Sequence, residues 1–413
     1  MNPGDADLLR REIAALGFDA VRFAALDPEP AGDPASPPPG PSPDGFAAWL
    51  AAGDHADMAW LERGLEKRRD PDLVLPGARS IIALGVNYLP SHPDSAAQQR
   101  WAKYALHADY HDTIKAGLHA AGRVLESRLG LTREDYRGYV DTGPVLERGW
   151  AARAGLGWQG RNAMLISREH GNWLFLAVIL VRAELPPDEP LRRPLARPAA
   201  SPIGLLCGSC TRCLDACPTA AFPQPGRVDA RRCISYHTIE NRGVIPRELR
   251  PRFGGRVFGC DVCLDVCPWN RFAQAGRSAL LTARDDIAGL SLVDLLEMTE
   301  ERFRATFRRT AIKRTGLAGL LRNACIAAGN WDVTPGWHFG AAADRAIVIR
   351  AVERLCAHES EIVRAHAVWA LFRLLDRHEA GARTEILRSR EASPVVLAEY
   401  AACLPPEPGS CGG

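Results

Sequence analysis

Apolar residues recur along the first half of the chain with two different periods. Leu9, Ile13 and Leu16 fall four and three apart, which predicts a helix over residues 6–16. Gly17 ends it, and Phe18-Asp-Ala-Val-Arg-Phe23 reads as a strand. Helices over 46–50 and 56–67 follow, then a buried strand over 80–88 and a helix over 112–129. Tyr136-Arg-Gly-Tyr-Val-Asp141 and the apolar run Trp173 to Val181 supply two more strands. Strands alternating with helices predict an open α/β layer for this half. Beyond residue 290 only the helical period remains, over 292–307, 315–328, 344–357 and 360–375. Arg322-Asn-Ala-Cys-Ile-Ala-Ala-Gly and Arg364-Ala-His-Ala-Val-Trp-Ala-Leu lie about 42 residues apart, the period of a HEAT-type repeat, with a plain helical bundle as the alternative.

Two stretches carry neither period. Pro28 to Pro43 is too rich in Pro, Gly and Ser to pack, so an exposed loop is expected, and Glu184 to Pro202, with six prolines, reads as a linker. The expected division is an α/β domain over 1–183, the linker over 184–202, a cysteine-rich domain over 203–290 and a helical domain over 291–413. A chain of 413 residues exceeds what one core usually supports. The first helix pattern is amphipathic, unlike a signal peptide, and no run approaches the roughly 20 apolar residues of a membrane span. A cytoplasmic monomer without membrane contact is expected, in a compartment where clustered thiols bind metal more often than they pair.

Eight of the twelve cysteines lie between 207 and 267. The runs Cys207-Gly-Ser-Cys210-Thr-Arg-Cys213-Leu-Asp-Ala-Cys217-Pro218 and Cys260-Asp-Val-Cys263-Leu-Asp-Val-Cys267-Pro268 both end in the Cys-Pro of a bacterial ferredoxin run, whose last cysteine crosses to the neighbouring cluster. The crossover rule assigns Cys207, Cys210, Cys213 and Cys267 to one 4Fe-4S cluster, and Cys217, Cys233, Cys260 and Cys263 to a second. Zinc is the alternative for an all-thiolate set, but the two Cys-Pro runs lack the paired spacing of a zinc knuckle. Two clusters carry single electrons and do no bond chemistry alone, so a catalytic cofactor is expected in the N-terminal half. The densest polar constellation there is Asp141-Thr-Gly-Pro-Val-Leu-Glu147-Arg148, where Asp141 ends an apolar strand. On these residues alone a turn or capping role for Asp141 competes with a catalytic one.

That constellation, then Gly155-Leu-Gly-Trp-Gln-Gly-Arg161-Asn162, the cluster runs with Cys233-Ile-Ser-Tyr-His-Thr-Ile-Glu240 between them, Lys67-Arg-Arg-Asp-Pro, the Tyr104 and Asp109-Tyr110-His111 segment, and Gly319-Leu-Leu-Arg322-Asn323 together resemble the epoxyqueuosine reductase family over nearly the whole chain. The resemblance implies a cobalamin-binding α/β domain like that of reductive dehalogenases, a two-cluster ferredoxin-like domain and a C-terminal HEAT-like helical domain, an α+β multidomain chain. It implies base-off cobalamin, reduced through the clusters by a low-potential electron donor still to be identified. The reaction implied is removal of the epoxide oxygen of epoxyqueuosine at the wobble position of tRNA. Asp141 matches the family's proton donor, and Tyr104, His111, Asp141, Arg161, Asn162 and Ser235 fall in motifs that contact cobalamin. A reductive dehalogenase is the alternative reading, against which stands the basic helical C-terminus.

The net charge of +2 does not itself indicate a polyanion, and with only four lysines a single Arg carries little weight. Local runs are more informative. Arg302, Arg304, Arg308, Arg309, Lys313, Arg314 and Arg322 form one basic segment, and Arg227, Arg231, Arg232, Arg242, Arg247, Arg250, Arg252 and Arg256 another. Phosphate contact with tRNA is expected from these, chiefly at Arg308, Arg309, Lys313, Arg314 and Arg322.

Overall fold

In the computed structural model the N-terminal strands join one four-stranded sheet in the order β1–β2–β6–β3, with β1 at Ala20–Ala25, β2 at Ser80–Asn87, β3 at Tyr136–Tyr139 and β6 at Leu174–Val181. Every pairing is antiparallel, with Ala20 opposite Gly85, Ile82 opposite Ile179 and Gly138 opposite Ile179. The layer is α/β in content without the parallel direction of a doubly wound sheet. An apolar run buried on both faces reads alike in either direction, and β2 is buried at all eight positions. The structure describes all residues except 27–42, 91–100, 192–202, 278, 332–341 and 405–413, so most of the expected 28–43 loop and of the linker lies outside it.

The sheet belongs to a unit built from residues 1–93, 107–233 and 261–283. Alternate side chains of its strands serve its two faces. Ile81, Ala83, Val178 and Leu180 join Trp150, Ala151 and Ala154 in one core, which receives α5, Glu147–Arg153. α1, Pro3–Ala15, buries Ala6, Leu9 and Ile13, and α4, Tyr110–Leu129, buries Ile114, Leu118, Ala121 and Leu125; both keep the helical spacing of one apolar face, and they pack on each other. α2 runs over Pro43–Ala51. The predicted 56–67 helix is instead a turn and a short α3, Leu65–Arg69, because Ala56 and Gly64 adopt left-handed φ values of 55° and 82°. β4, Trp158–Gln159, and β5, Leu165–Ile166, form a small antiparallel pair. The cysteine runs carry the one-turn helices α6, Arg212–Asp215, and α8, Val262–Asp265, which pack against each other.

The second unit comprises residues 94–106, 234–260 and 284–413. It contains α7 (Ile234–Ile239), α9 (Asp285–Ala288), α10 (Leu292–Leu296), α11 (Glu300–Phe307), α12 (Gly316–Gly329), α13 (Ala342–Leu355), α14 (Glu361–Leu374), α15 (Arg377–Arg390) and α16 (Pro394–Cys403). The expected 292–307 helix is two helices, since Ser291 with Asp294 forms a capping box and Thr299 caps α11 by accepting from the Arg302 N–H. α14 is apolar nearly all round and packs on α12, α13 and α16. Gly329 lets it approach, for a Cβ there would meet the Trp369 ring at 2.4 Å. Among the described residues no helix is long and apolar enough to cross a membrane.

Candidate active site

Asp141 follows β3 with φ at 58°, a left-handed value that Asp tolerates better than most residues. The turn folds back tightly, since a Cβ on Gly143 would meet the Tyr139 ring at 2.4 Å. Its side chain is 64% exposed, yet held: Tyr110 Oη donates to Asp141 Oδ2 at 2.7 Å, and His111 Nε2 lies 3.1 Å from the same oxygen. His111 Nδ1 lies 2.7 Å from Asp109 Oδ1. Asp109 is also the N-cap of α4, accepting from the His111 backbone N–H at 3.2 Å, so one carboxylate starts the helix and aims the imidazole. The Tyr110 ring stacks between His111 at 4.0 Å and Phe175 at 4.2 Å.

Burial opposes a charge on His111, but its bonds to Asp109 and Asp141 outweigh burial and hold its pKa up at about 9. Glu147, first residue of α5, is pushed up to about 7 by burial, with the Asp141 charge adding to the rise. Its Oε1 is buried and, among the described residues, without a hydrogen-bond partner. Arg148 donates to the Ala163 carbonyl. Phe175 of the central strand β6 remains half-exposed although apolar and stacks on Tyr110, while its neighbours Leu174 and Leu176 pack on the core that receives α5, on the other face of the sheet.

The other expected cofactor contacts fare differently. Arg161 reaches the Gly208 carbonyl at 2.7 Å and braces the first cysteine run. Asn162 is buried and spent internally: its Nδ2 donates to Asn172 Oδ1 at 2.8 Å and its Oδ1 accepts from the Met164 N–H at 3.2 Å. Asn162 is therefore corrected from a cofactor contact to a structural link. Tyr104 and Ser235 belong to the second unit, where Tyr104 packs on Phe258 and the Ser235 carbonyl accepts from Thr238.

All eight clustered cysteines are half-exposed. Cys213 is pushed up to about 11 by burial and then by the thiolate charges of Cys207, Cys267 and Cys210, so these four sulfurs sense one another. Asn172 donates to Cys267, and Cys217 Sγ accepts from the Ala221 N–H at 3.3 Å. Such N–H to sulfur bonds stabilise clustered thiolates and tune cluster potential. Among the described residues no three His, Cys, Asp or Glu side chains converge on a single ion. A cubane does not require that, because each thiolate takes its own iron. The donor set thus fits iron-sulfur clusters. Of the second expected set, Cys217, Cys233 and Cys263 lie in the first unit and Cys260 at the end of a segment of the second.

The basic segments divide. Arg308, Arg309, Lys313 and Arg314 are exposed, with Arg314 paired to Glu240 at 2.7 Å. Arg322 is fully buried and donates to the carbonyls of His237, Asn241 and Gly243 at 2.6–3.0 Å. It holds the fold and has no nitrogen to offer a phosphate, which corrects its assignment to tRNA. Much of the 227–256 segment is likewise engaged: Arg227 and Arg231 on buried Asp54, Arg247 and Arg250 on buried Glu399, Arg242 on the Thr315 carbonyl. The roles of Asp109, Tyr110 and Glu147, and of the Asn172–Asn270 pair, are absent from the sequence reading. Asp109 alone carried a signal, as an N-cap residue before a helical period.

Two ferredoxin-type cysteine runs, with seven of the eight clustered thiols in the same unit as a carboxylate wired to a tyrosine and a histidine, define an iron-sulfur oxidoreductase. A family model described as a 4Fe-4S double cluster binding domain matches residues 206–270, and one described as Epoxyqueuosine reductase QueG, DUF1730, matches 68–142. An epoxyqueuosine reductase of Vibrio cholerae is 38% identical over 377 residues, covering 89% of this chain and 91% of that protein. A crystal structure of epoxyqueuosine reductase with an epoxyqueuosine-modified tRNA-Tyr stem loop shares 27% identity, covering 96% of this chain and 97% of that one, at a TM-score of 0.78. The Bacillus subtilis enzyme, solved with its catalytic aspartate loop swung out of the active site, shares 26% identity over 96% of this chain and 97% of that one, at a TM-score of 0.73. The chain belongs to the epoxyqueuosine reductase family.

Proposed function

We propose that the protein reduces epoxyqueuosine to queuosine at the wobble position of tRNA, the last step of queuosine biosynthesis, with two electrons and two protons entering and one water leaving. One observation carries the reading: in a chain of this family, Asp141 stands on a turn after β3 with an exposed carboxyl tied to Tyr110 and His111. A relative whose catalytic aspartate loop moves supports the same role for the Asp141 turn, and a relative solved with a modified stem loop supports tRNA as substrate.

The expected cofactor on the Asp141 side is cobalamin, which when bound base-off supplies low-potential cobalt to the substrate. The fit is that of a flat, largely apolar macrocycle to the stacked rings of Phe175 and Tyr110, with His111 and Asp141 beside them. These residues would hold it, Asp141 serving as proton donor to the departing oxygen. Electrons would reach the site through clusters on Cys207, Cys210, Cys213 and Cys267, and on Cys217, Cys233, Cys260 and Cys263, from a low-potential donor. The 1–183, 203–290 and 291–413 regions then serve as cofactor, cluster and HEAT-like tRNA-binding parts of a cytoplasmic monomer. Arg308, Arg309, Lys313 and Arg314 contribute phosphate contacts. The dehalogenase alternative has no observation of its own once the family is fixed.

The test is anaerobic incubation of the reconstituted chain, cobalamin and a strong reductant with epoxyqueuosine-bearing tRNA, followed by nucleoside analysis. Conversion to queuosine is expected; intact epoxyqueuosine in the presence of both loaded clusters and cobalamin overturns the reading.

A further inference from the structure

The proposed reduction consumes two protons, and the Asp141 carboxyl carries at most one. Both ring nitrogens of His111 end on carboxylates, Nδ1 on Asp109 at 2.7 Å and Nε2 on Asp141 at 3.1 Å. An ionised carboxylate only accepts, so both nitrogens are donors and the ring is an imidazolium. That cation and the Tyr110 hydroxyl in turn stabilise Asp141 in its charged form, in which it has no proton to give. A standing acid at Asp141 and this bonding pattern conflict. The conflict is removed if the proton resides one residue further back.

We infer that His111 is a positioning residue that stores the proton delivered by Asp141 and reloads Asp141 between the two protonation steps. The inference rests on the proposed epoxide reduction. In the open site the ion pair is favoured, because Asp141 is 64% exposed and His111 29%. When substrate covers the corner and excludes water, the separated charges lose solvation and the neutral pair becomes competitive. The Nε2–H bond breaks and an O–H bond forms on Asp141 Oδ2. As one C–O bond of the epoxide breaks, the oxygen takes that proton to become a hydroxyl. The two electrons would be supplied by the clusters that the cysteine runs would hold. Solvent reprotonates the partly exposed imidazole, a second transfer recharges Asp141, and the remaining C–O bond breaks as the C=C bond forms and the oxygen leaves as water. Asp109 stays ionised throughout and balances the positive ring.

Among the described residues, the charged groups that act on the pair have a definite sense. Asp109, before α4, and Asp141, after β3, favour the imidazolium. The N-terminus of α4 and burial disfavour it. On α5, Glu147 and Arg148 act on Asp141 with opposite signs. The carboxylates prevail, leaving His111 at about 9 and therefore charged at neutral pH.

The experiment uses the full chain with its clusters. In 15N-histidine-labelled protein without cobalamin, with H111Q as the assignment control, His111 is expected to titrate near 9 and D109N to lower its midpoint by roughly 1–3 pH units. In the cobalamin-loaded enzyme acting on modified tRNA, the alkaline limb of turnover should follow that midpoint and move down with it in D109N. H111Q keeps a donor but no storable proton and should lose roughly 10²-fold or more in turnover. A purely packing role would lower turnover in D109N at all pH values without moving the limb, and that outcome overturns the inference. So does a His111 that titrates near its ordinary value, or an H111Q enzyme within about threefold of wild type. A loaded wild-type chain that leaves epoxyqueuosine intact overturns the proposed function and the inference with it, an outcome distinct from an active enzyme with an unmoved limb.

Discussion

The Asp141 corner and the Arg322 brace are both dense in charged and polar side chains, but they are bonded in opposite ways. At the corner, Tyr110, His111 and Asp109 bond side chain to side chain, and the last acceptor in the chain faces solvent. In the brace, Arg322, Asn323 and Asn330 bond to backbone carbonyls of the 237–257 segment and are fully buried. Side-chain pairs at a surface can exchange partners or protons while the backbone stays put. Buried side chains that satisfy backbone carbonyls cannot leave without orphaning them. The first arrangement suits chemistry and the second suits fold, although both draw on residues that stand out equally in the sequence.

The largest effect expected is on Asp141. D141N keeps the shape and the Tyr110 bond but cannot shuttle a proton, so turnover should fall roughly 10²- to 10⁴-fold with the thermal midpoint nearly unchanged. Clusters and cobalamin should remain bound by their visible spectra. A D141N chain that unfolds at markedly lower temperature would show the corner to be a brace after all and erase the contrast.

Arg322 should give the reverse result. R322M fills similar space but leaves the carbonyls of His237, Asn241 and Gly243 without their donor, which should cost on the order of 4 kcal/mol in unfolding free energy. Urea unfolding followed by circular dichroism measures this. A midpoint equal to wild type with weakened tRNA binding would restore Arg322 to the substrate side and break the comparison.

Sequence reasoning met these two regions with unequal success for a physical reason. The periods that placed β2, β6, α4 and α14 report burial, and burial leaves a trace in every apolar residue. Antiparallel direction leaves none in a strand buried on both faces, and the split of 292–307 turned on two caps that a continuous apolar pattern masks. The double-cluster domain was legible because the spacing of its cysteines is itself the chemistry. Asp141 drew attention only through family motifs, since nothing local reveals that residues 30 positions upstream will bond to it. Arg322 misled because charge in a sequence carries no sign of exposure, and its carbonyl partners lie about 80 residues away.

Arg308, Arg309 and Lys313 form a third case, exposed and absent from the brace bonds described above. The triple variant R308E/R309E/K313E should leave stability unchanged, weaken stem-loop binding roughly tenfold or more, and flatten its salt dependence by about 0.7–0.9 for each phosphate no longer neutralised. Fluorescence anisotropy across a salt series reads both quantities. Equal affinity and slope would remove this segment from the substrate face. Arg314 is left intact in this variant because its bond to Glu240 would mix a structural effect into the result.

Glu147 tests the comparison most finely, for it joins the burial of the brace to the location of the Asp141 corner: its Oε1 is buried and, among the described residues, has no hydrogen-bond partner. Its pKa rises from an ordinary 4.5 to about 7, chiefly through burial. Below pH 4.5 the carboxyl is neutral whether the chain is folded or unfolded, and its contribution to stability is fully present. As pH rises through about 7, the folded state must ionise it against burial and the Asp141 charge, and that contribution is lost. Wild type should therefore lose stability between pH 5 and pH 8 relative to E147Q, by on the order of 1 kcal/mol once partial exposure is discounted. The His111 contribution, present below its ordinary value of 6.5 and lost as pH rises through about 9, is common to both chains and cancels in the difference. Paired urea titrations at pH 5 and pH 8 decide the matter. Parallel pH dependence in the two chains would mean that Glu147 finds a partner or solvent in solution, and that burial at the corner does not hold its carboxyl neutral.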